Sequence, residues 1–172
     1  MGKSKLPPMP RQFSAEIIRS DGITAKIFID GFLRRIEEST PNGIQIIIAR
    51  PDNGVGWTLW PDRNMGCETP MSPEMVGKVG NPTDNLDWVL DGTGFIDGIE
   101  CLRFVGYFPI DSQPQQFVEE CYVDPATNMV SRCITYHQDG TPSLTVNYCS
   151  VIIGPPLPNL FEMPDGYELL KF

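Results

Sequence analysis

One histidine, five cysteines and 22 acidic residues are the reactive groups that this chain of 172 residues offers. His137 lies in YHQDGT, beside an Asp139-Gly140 pair that reads as a hairpin turn. It is therefore expected at an exposed tip, with no Cys/His or Ser/His dyad around it. Cys67, Cys101, Cys121, Cys133 and Cys149 include no C-x-x-C pair. A zinc site draws four ligands, usually in such close pairs, so no metal is expected. Asp87, Asp91 and Asp97 have no spacing that singles out an acid and a base, and they read as turn and capping residues. The sequence thus predicts neither catalysis nor a cofactor. Its unusual stretch is RPDNGVGWTLWPDRNMGCE, residues 50–68, which places Trp57 and Trp60 between two Pro-Asp turns. Two large rings in so turn-rich a segment either fill a core or line a binding surface.

The elements that carry these rings are strands. QFSAEIIRS, ITAKIFI and FLRRIEES are joined by Asp21-Gly22 and Asp30-Gly31. Asp-Gly between apolar-rich strands is a strong hairpin signal, because both residues tolerate positive φ. GIQIIIAR follows, then Pro51–Gly54, then VGWTLW. A four-residue loop there sets Arg50 opposite Val55, Ile48 opposite Trp57 and Ile46 opposite Leu59. Ile44, Ile46, Ile48, Val55, Trp57 and Leu59 then share one face. Ile47 and Trp60 point the other way, so both surfaces of this hairpin carry apolar side chains and each needs a cover.

Residues 69–91 are the irregular part, with three prolines and two expected short helices, at 73–79 and 83–90. Met71, Met75, Val76, Val79, Leu86 and Trp88 give it a greasy side. Methionine adapts to irregular gaps and to binding surfaces, so the segment reads as a cover over the sheet, either a fixed plug or a movable lid. Strands resume with IECLRFVGYF, QFVEECYVD, MVSRCITYH and SLTVNYCSVII. A final short strand follows GPPLPNLFEMPDG. About ten strands in one antiparallel meander must twist, curl or approach a barrel. With the loop centred on Thr127, Cys121 and Cys133 fall opposite each other, at a Cα separation of about 4.5–5.5 Å. They are the pair suited to a disulfide in an oxidising compartment. In a reducing one, all five are thiols that fill space.

Composition bounds the partners. With 17 prolines and 16 glycines the chain turns often, which disfavours long helices. A net charge of −9 repels nucleic-acid phosphates and anionic headgroups. No apolar run is long enough to span a bilayer as a helix. The start shows no signal-peptide pattern. Residues 1–11 read as a flexible Pro-rich head, and 12–172 as one domain.

The order of motifs resembles the LolA/LolB-like superfamily of outer-membrane lipoprotein carriers and their uncharacterised relatives. The matching pieces are FSAEII with two short strands, Arg35-Ile36-Glu37, residues 50–68, GFIDGIECLRFVGYF, CYVDPATNMVSRC and GPPLPNLFEMPDGYELL. The resemblance covers residues 12–172. It implies a mainly β fold: a highly curved antiparallel sheet, an unclosed barrel, with short helices or a loop plugging its concave side. It implies a hydrophobic cavity there for a lipid or lipoprotein acyl chain. It also implies residence in the periplasm or cell envelope, with transient contact with envelope proteins. The carriers' cavity arginine, which latches the plug, corresponds to Arg35, with Arg34 beside it as the alternative. Adjacent strand residues point to opposite faces, so only one of the two can face a cavity. The carriers begin with a helix where this chain has PPMPRQ.

Arg35, Ile46, Ile48, Trp57, Leu59, Met71, Met75 and Trp88 are accordingly the expected ligand residues. Ten buried methylenes are worth roughly 8 kcal/mol, against an association cost of about 4–15 kcal/mol. A single acyl chain would bind modestly and leave readily. The same surface could instead hold a protein partner as a sensor or interaction module.

Overall fold

Four consecutive hairpins set the register of the first five strands. The computed structural model describes residues 5–76, 86–108 and 117–170. Strands β1 (Gln12–Arg19), β2 (Thr24–Asp30) and β3 (Leu33–Thr40) run antiparallel. Asp30 faces Leu33 across a two-residue loop, Gly31-Phe32, whose glycine has φ +60°. Glycine first in such a loop matches the right-handed twist of the strands it joins. β4 (Gly43–Arg50) and β5 (Val55–Trp60) pair as the loop length requires: Ile46 with Leu59, Ile48 with Trp57, Arg50 with Val55.

The chain then adds β6 (Met65–Pro70), α1 (Pro73–Val76), β7 (Asp87–Ile96), β8 (Ile99–Tyr107), β9 (Phe117–Val123), β10 (Val130–Tyr136), β11 (Pro142–Ile153) and β12 (Glu168–Leu170). The strands form one sheet in the order β12-β6-β5-β4-β3-β2-β1-β11-β10-β9-β8-β7, with β12 and β7 as its two ends. The expected class, mainly β with an unclosed antiparallel sheet, is what is seen. β12 is the exception to antiparallel pairing, lying parallel to β6.

Twelve strands replace the expected ten, and the two additions have a physical reason. β6 (MGCETP) and β7 (DWVLDGTGFI) carry glycine, acids and proline that read as loop. In β7 the Asp91-Gly92 pair is a bulge, not a turn: Leu90 pairs with Phe104 and Thr93 with Leu102, so two residues face one. Gly92 takes φ +92° there, the backbone a bulge of this kind uses. The expected helix at 83–90 is corrected accordingly, since residues 87–90 are extended and hydrogen-bonded in β7. Its first residues, and 77–79 of the other expected helix, lie outside the described residues.

Two compact units divide the chain. One holds β7 to β10 and the start of β11. Its core is Leu86, Trp88, Phe104, Cys121, Val123, Val130 and Cys133, with Leu6 and Met9 of the Pro-rich head packed against it. Trp88 packs against Gly106, where a Cβ would sit 3.1 Å from ring carbons. Cys121 and Cys133 face each other, Cα atoms 4.3 Å apart, and are joined as a disulfide. The other unit holds β1 to β6, α1, the end of β11 and β12.

Candidate ligand site

Strand alternation gives the β1–β6 unit two chemically different faces. The register puts Arg35, Ile46, Ile48, Trp57 and Leu59 together on one of them. This face is closed by the chain's own C-terminal segment. Ile46, Ile48 and Leu59 form a buried cluster against Trp57, Met163 and Tyr167, and Ile48 and Leu59 are 0% exposed. The short helical turn Pro158–Phe161 packs on β3 and β4. Arg35 holds it there, donating to the Leu160 carbonyl at 3.0 Å and to Glu37 at 2.6 Å. Arg50 clamps the next residues through Glu162 at 2.6 Å and Asp52 at 2.9 Å. The Trp57 indole donates to Glu68 at 2.9 Å.

The rest of the expected ligand set is elsewhere. Met71 lies over Gly56, whose missing Cβ would meet the methionine Cε at 2.5 Å. Gly56 pairs with Ala49, so Met71 covers the opposite face from Trp57. Met75 is 54% exposed on α1. Trp88 belongs to the core of the other unit. The sequence therefore brings five of the eight expected residues together, on a face sealed by the Leu160-Phe161 turn.

The second face was the less conspicuous one. On β1 and β2 it presents Phe13, Ala15, Ala25, Ile27 and Ile29, all buried, while Ser14, Glu16, Lys26 and Asp30 point the other way. One row runs straight across five strands: Phe13, Ile29, Arg34, Ala49, Gly56. The next holds Ala15, Ile27, Ile36 and Ile47. The third ends in polar residues, Glu38 and Gln45. The small side chains Ala15, Ala25, Ala49 and Gly56 keep this face low. The signal was present in the alternation of FSAEII and TAKIFID, masked by the heavier run of isoleucines and tryptophans in β4 and β5.

Arg34 is the one charge in the first of these rows. Its Nη1 donates to the carbonyls of Gly31 at 2.6 Å and Leu33 at 3.1 Å. Among the described residues no carboxylate reaches it. Burial pulls its pKa below the ordinary arginine value. Arg35, one residue on, has Glu37; among the described residues Arg34 has only backbone.

Of the acids weighed for catalysis, Asp87 opens β7 opposite Tyr107, Asp91 lies in its bulge and Asp97 in a turn. Asp97 and Gly98 form the two-residue β7–β8 turn with φ +49° and +83°, and Asp91 of the bulge pairs with Arg103. His137 is exposed in the Asp139-Gly140 turn. Glu119 lies near the sulfurs of Cys121 and Cys133, which as a disulfide offer no thiolate.

No protein-family model matches the chain, and no curated protein matches it in sequence. Solved structures do. An uncharacterized conserved protein from Thermus thermophilus superposes with a TM-score of 0.69 at 14% identity, over 92% of this chain and 88% of that one. The Pseudomonas aeruginosa MucA/MucB complex gives 0.55 at 11%, over 94% of this chain and 58% of the matched one, so the likeness spans a little over half of that partner's length. The Mycobacterium tuberculosis lipoprotein LppX gives 0.53 at 12%, over 86% of this chain and 89% of that one. Likeness at such identities is likeness of fold alone. Among the described residues no helix is long and apolar enough to cross a membrane. Its unclosed, mainly β sheet is the fold that the order of its motifs implies, and these solved structures share it.

Proposed function

We propose that this protein is a non-catalytic binder of a hydrophobic ligand, a lipid or acyl chain, acting in the bacterial cell envelope. The observation that carries the reading is the second apolar face of β1 to β5. Phe13, Ala15, Ala25, Ile27, Ile29 and Ala49 offer area without polar groups that need partners, the chemistry of an apolar ligand surface. The first apolar face is covered by the C-terminal segment; the second is buried too, with Met71 over Gly56, so cargo there takes the place of that cover. The fold likeness to a lipoprotein supports the envelope setting. Native mass spectrometry of gently purified protein tests the proposal. Bound amphiphile, lost on solvent extraction and regained on adding dodecanol, is the expected result. A protein that carries nothing and takes up no dodecanol overturns it.

A second reading is a protein-interaction module on the same fold, favoured by the likeness to a chain of a two-protein complex. It predicts a stoichiometric polypeptide in the native mass spectrum in place of amphiphile.

A further inference from the structure

We infer that Arg34 is an anion-binding residue, and that the ligand of the β1–β5 face is an amphiphile with a single anionic head and a linear apolar tail. This rests on the ligand-binding reading above and names the ligand's class.

A guanidinium has five N–H donors in a planar fork. Only Nη1 of Arg34 has protein acceptors among the described residues, and both are backbone carbonyls. Nε and Nη2 remain for a further acceptor. The surroundings make that acceptor's charge matter. In its row Arg34 lies between Ile29 and Ala49, with Phe13 beyond the first and Gly56, under Met71, beyond the second. A partly desolvated cation without a counter-charge is costly. The paired arginines nearby show the usual remedy: Arg35 has Glu37, and Arg50 has Asp52 and Glu162. At Arg34 no such remedy is found among the described residues, and the ligand supplies it. A planar carboxylate or a phosphate fits the fork in bidentate fashion.

Position within the sheet supports the same assignment. Arg34 is the second residue of β3, one step from the exposed Gly31-Phe32 turn. A head held there is at the rim, near water. From the Arg34 row to the Glu38 row the face runs for four residues, about 13 Å. Ile27, Ala25 and Ala15 line that path and each is buried, so a medium-length tail that lies along it displaces what covers them.

The test is calorimetry on the full chain with four probes below their critical micelle concentrations: dodecanoate, dodecyl phosphate, dodecanol and inorganic phosphate. Either dodecyl anion should bind about tenfold tighter than dodecanol, as one charge-assisted hydrogen-bonded pair supplies. Whichever is tighter identifies the head as carboxylate or phosphate. Inorganic phosphate, having no tail, should not bind measurably. Arg34→Met keeps the apolar stem and removes the charge. It should bring both anions down to the dodecanol affinity and leave dodecanol unchanged, which also reports that the variant is folded. Arg34→Lys should restore part of the preference, and Arg35→Met should keep all of it. Equal binding of anions and dodecanol in the wild type, or a preference that survives Arg34→Met, overturns the inference while the ligand-binding reading stands. No binding of any dodecyl probe overturns both.

Discussion

Glu120 is a carboxylate almost removed from water, 5% exposed on β9. Burial alone would raise its pKa. Hydrogen bonds from Arg103, at 3.0 Å, and from the Tyr122 hydroxyl outweigh that and hold it below the ordinary value. Tyr136 adds a third donor at 3.3 Å. A carboxylate depressed in the folded state contributes stability that is complete above its unfolded pKa, about 4.3. That stability is lost as pH falls through the lower folded value. Urea midpoints should therefore hold level to about pH 5 and decline below it. Glu120→Gln should lower stability at pH 7 by about 2–3 kcal/mol, since it leaves Arg103 half satisfied, and should flatten the acid decline. An unchanged slope in the variant would assign the acid sensitivity to other carboxylates. On the neighbouring strand pair, the Cys121–Cys133 disulfide closes a short loop, with a sequence separation of 12. Unreduced, unfolded protein should titrate three thiols, those of Cys67, Cys101 and Cys149, and five after reduction. Reduction should cost about 2–3 kcal/mol by the loop-entropy account. Five thiols without reductant would remove the bridge.

At the scale of elements, the C-terminal turn Pro158–Phe161 acts as the lid of the β3–β5 face. Phe161, its last residue, is 1% exposed. Phe161→Ala should cost about 3–5 kcal/mol through lost transfer energy and the cavity left behind. Arg35→Met, which loses the bond to Leu160 but keeps the packing, should cost about 1–2 kcal/mol. Both are read as shifts of the urea midpoint with an unchanged slope. A larger loss for the arginine would make the turn's position electrostatic in origin. How legible this was in sequence varied by element. Asp-Gly and Pro51–Gly54 announced β1 to β5 and their register, because loop length and period two leave a hairpin little freedom. GPPLPNLFEMPDG carried no sign of which face its Leu160-Phe161 pair would cover. β6 and β7 were hidden because their glycines and acids serve a close approach and a bulge. At Gly66 a Cβ would meet Leu59 at 2.6 Å and Leu169 at 3.3 Å, so the glycine is what lets β12 lie beside β6. Composition of this kind says turn when read without neighbours.

For the molecule as a whole, net charge and ligand charge oppose one another. The chain carries −9, and an anionic amphiphile approaches it against that field. The site itself was only half readable for a related reason. Alternation showed that Arg34 and Arg35 face opposite ways, but which of them has an acid among the described residues depends on partners that only folding brings near. Two electrostatic terms of different range now make a prediction. Repulsion from the distributed charge acts over tens of ångströms and is screened once the Debye length falls to about 10 Å near 0.1 M salt. Attraction to Arg34 acts at contact, within a partly desolvated row, and is screened much less. Raising salt from roughly 20 to 200 mM should therefore leave the ratio of dodecanoate to dodecanol affinity unchanged or increase it by about two- to threefold. Dodecanol in the same series removes the salting-out of the tail. Adsorption on exposed lysines and arginines would behave in the opposite sense, its preference for the anion falling as salt rises. A falling ratio would place the anion on the surface and not against Arg34.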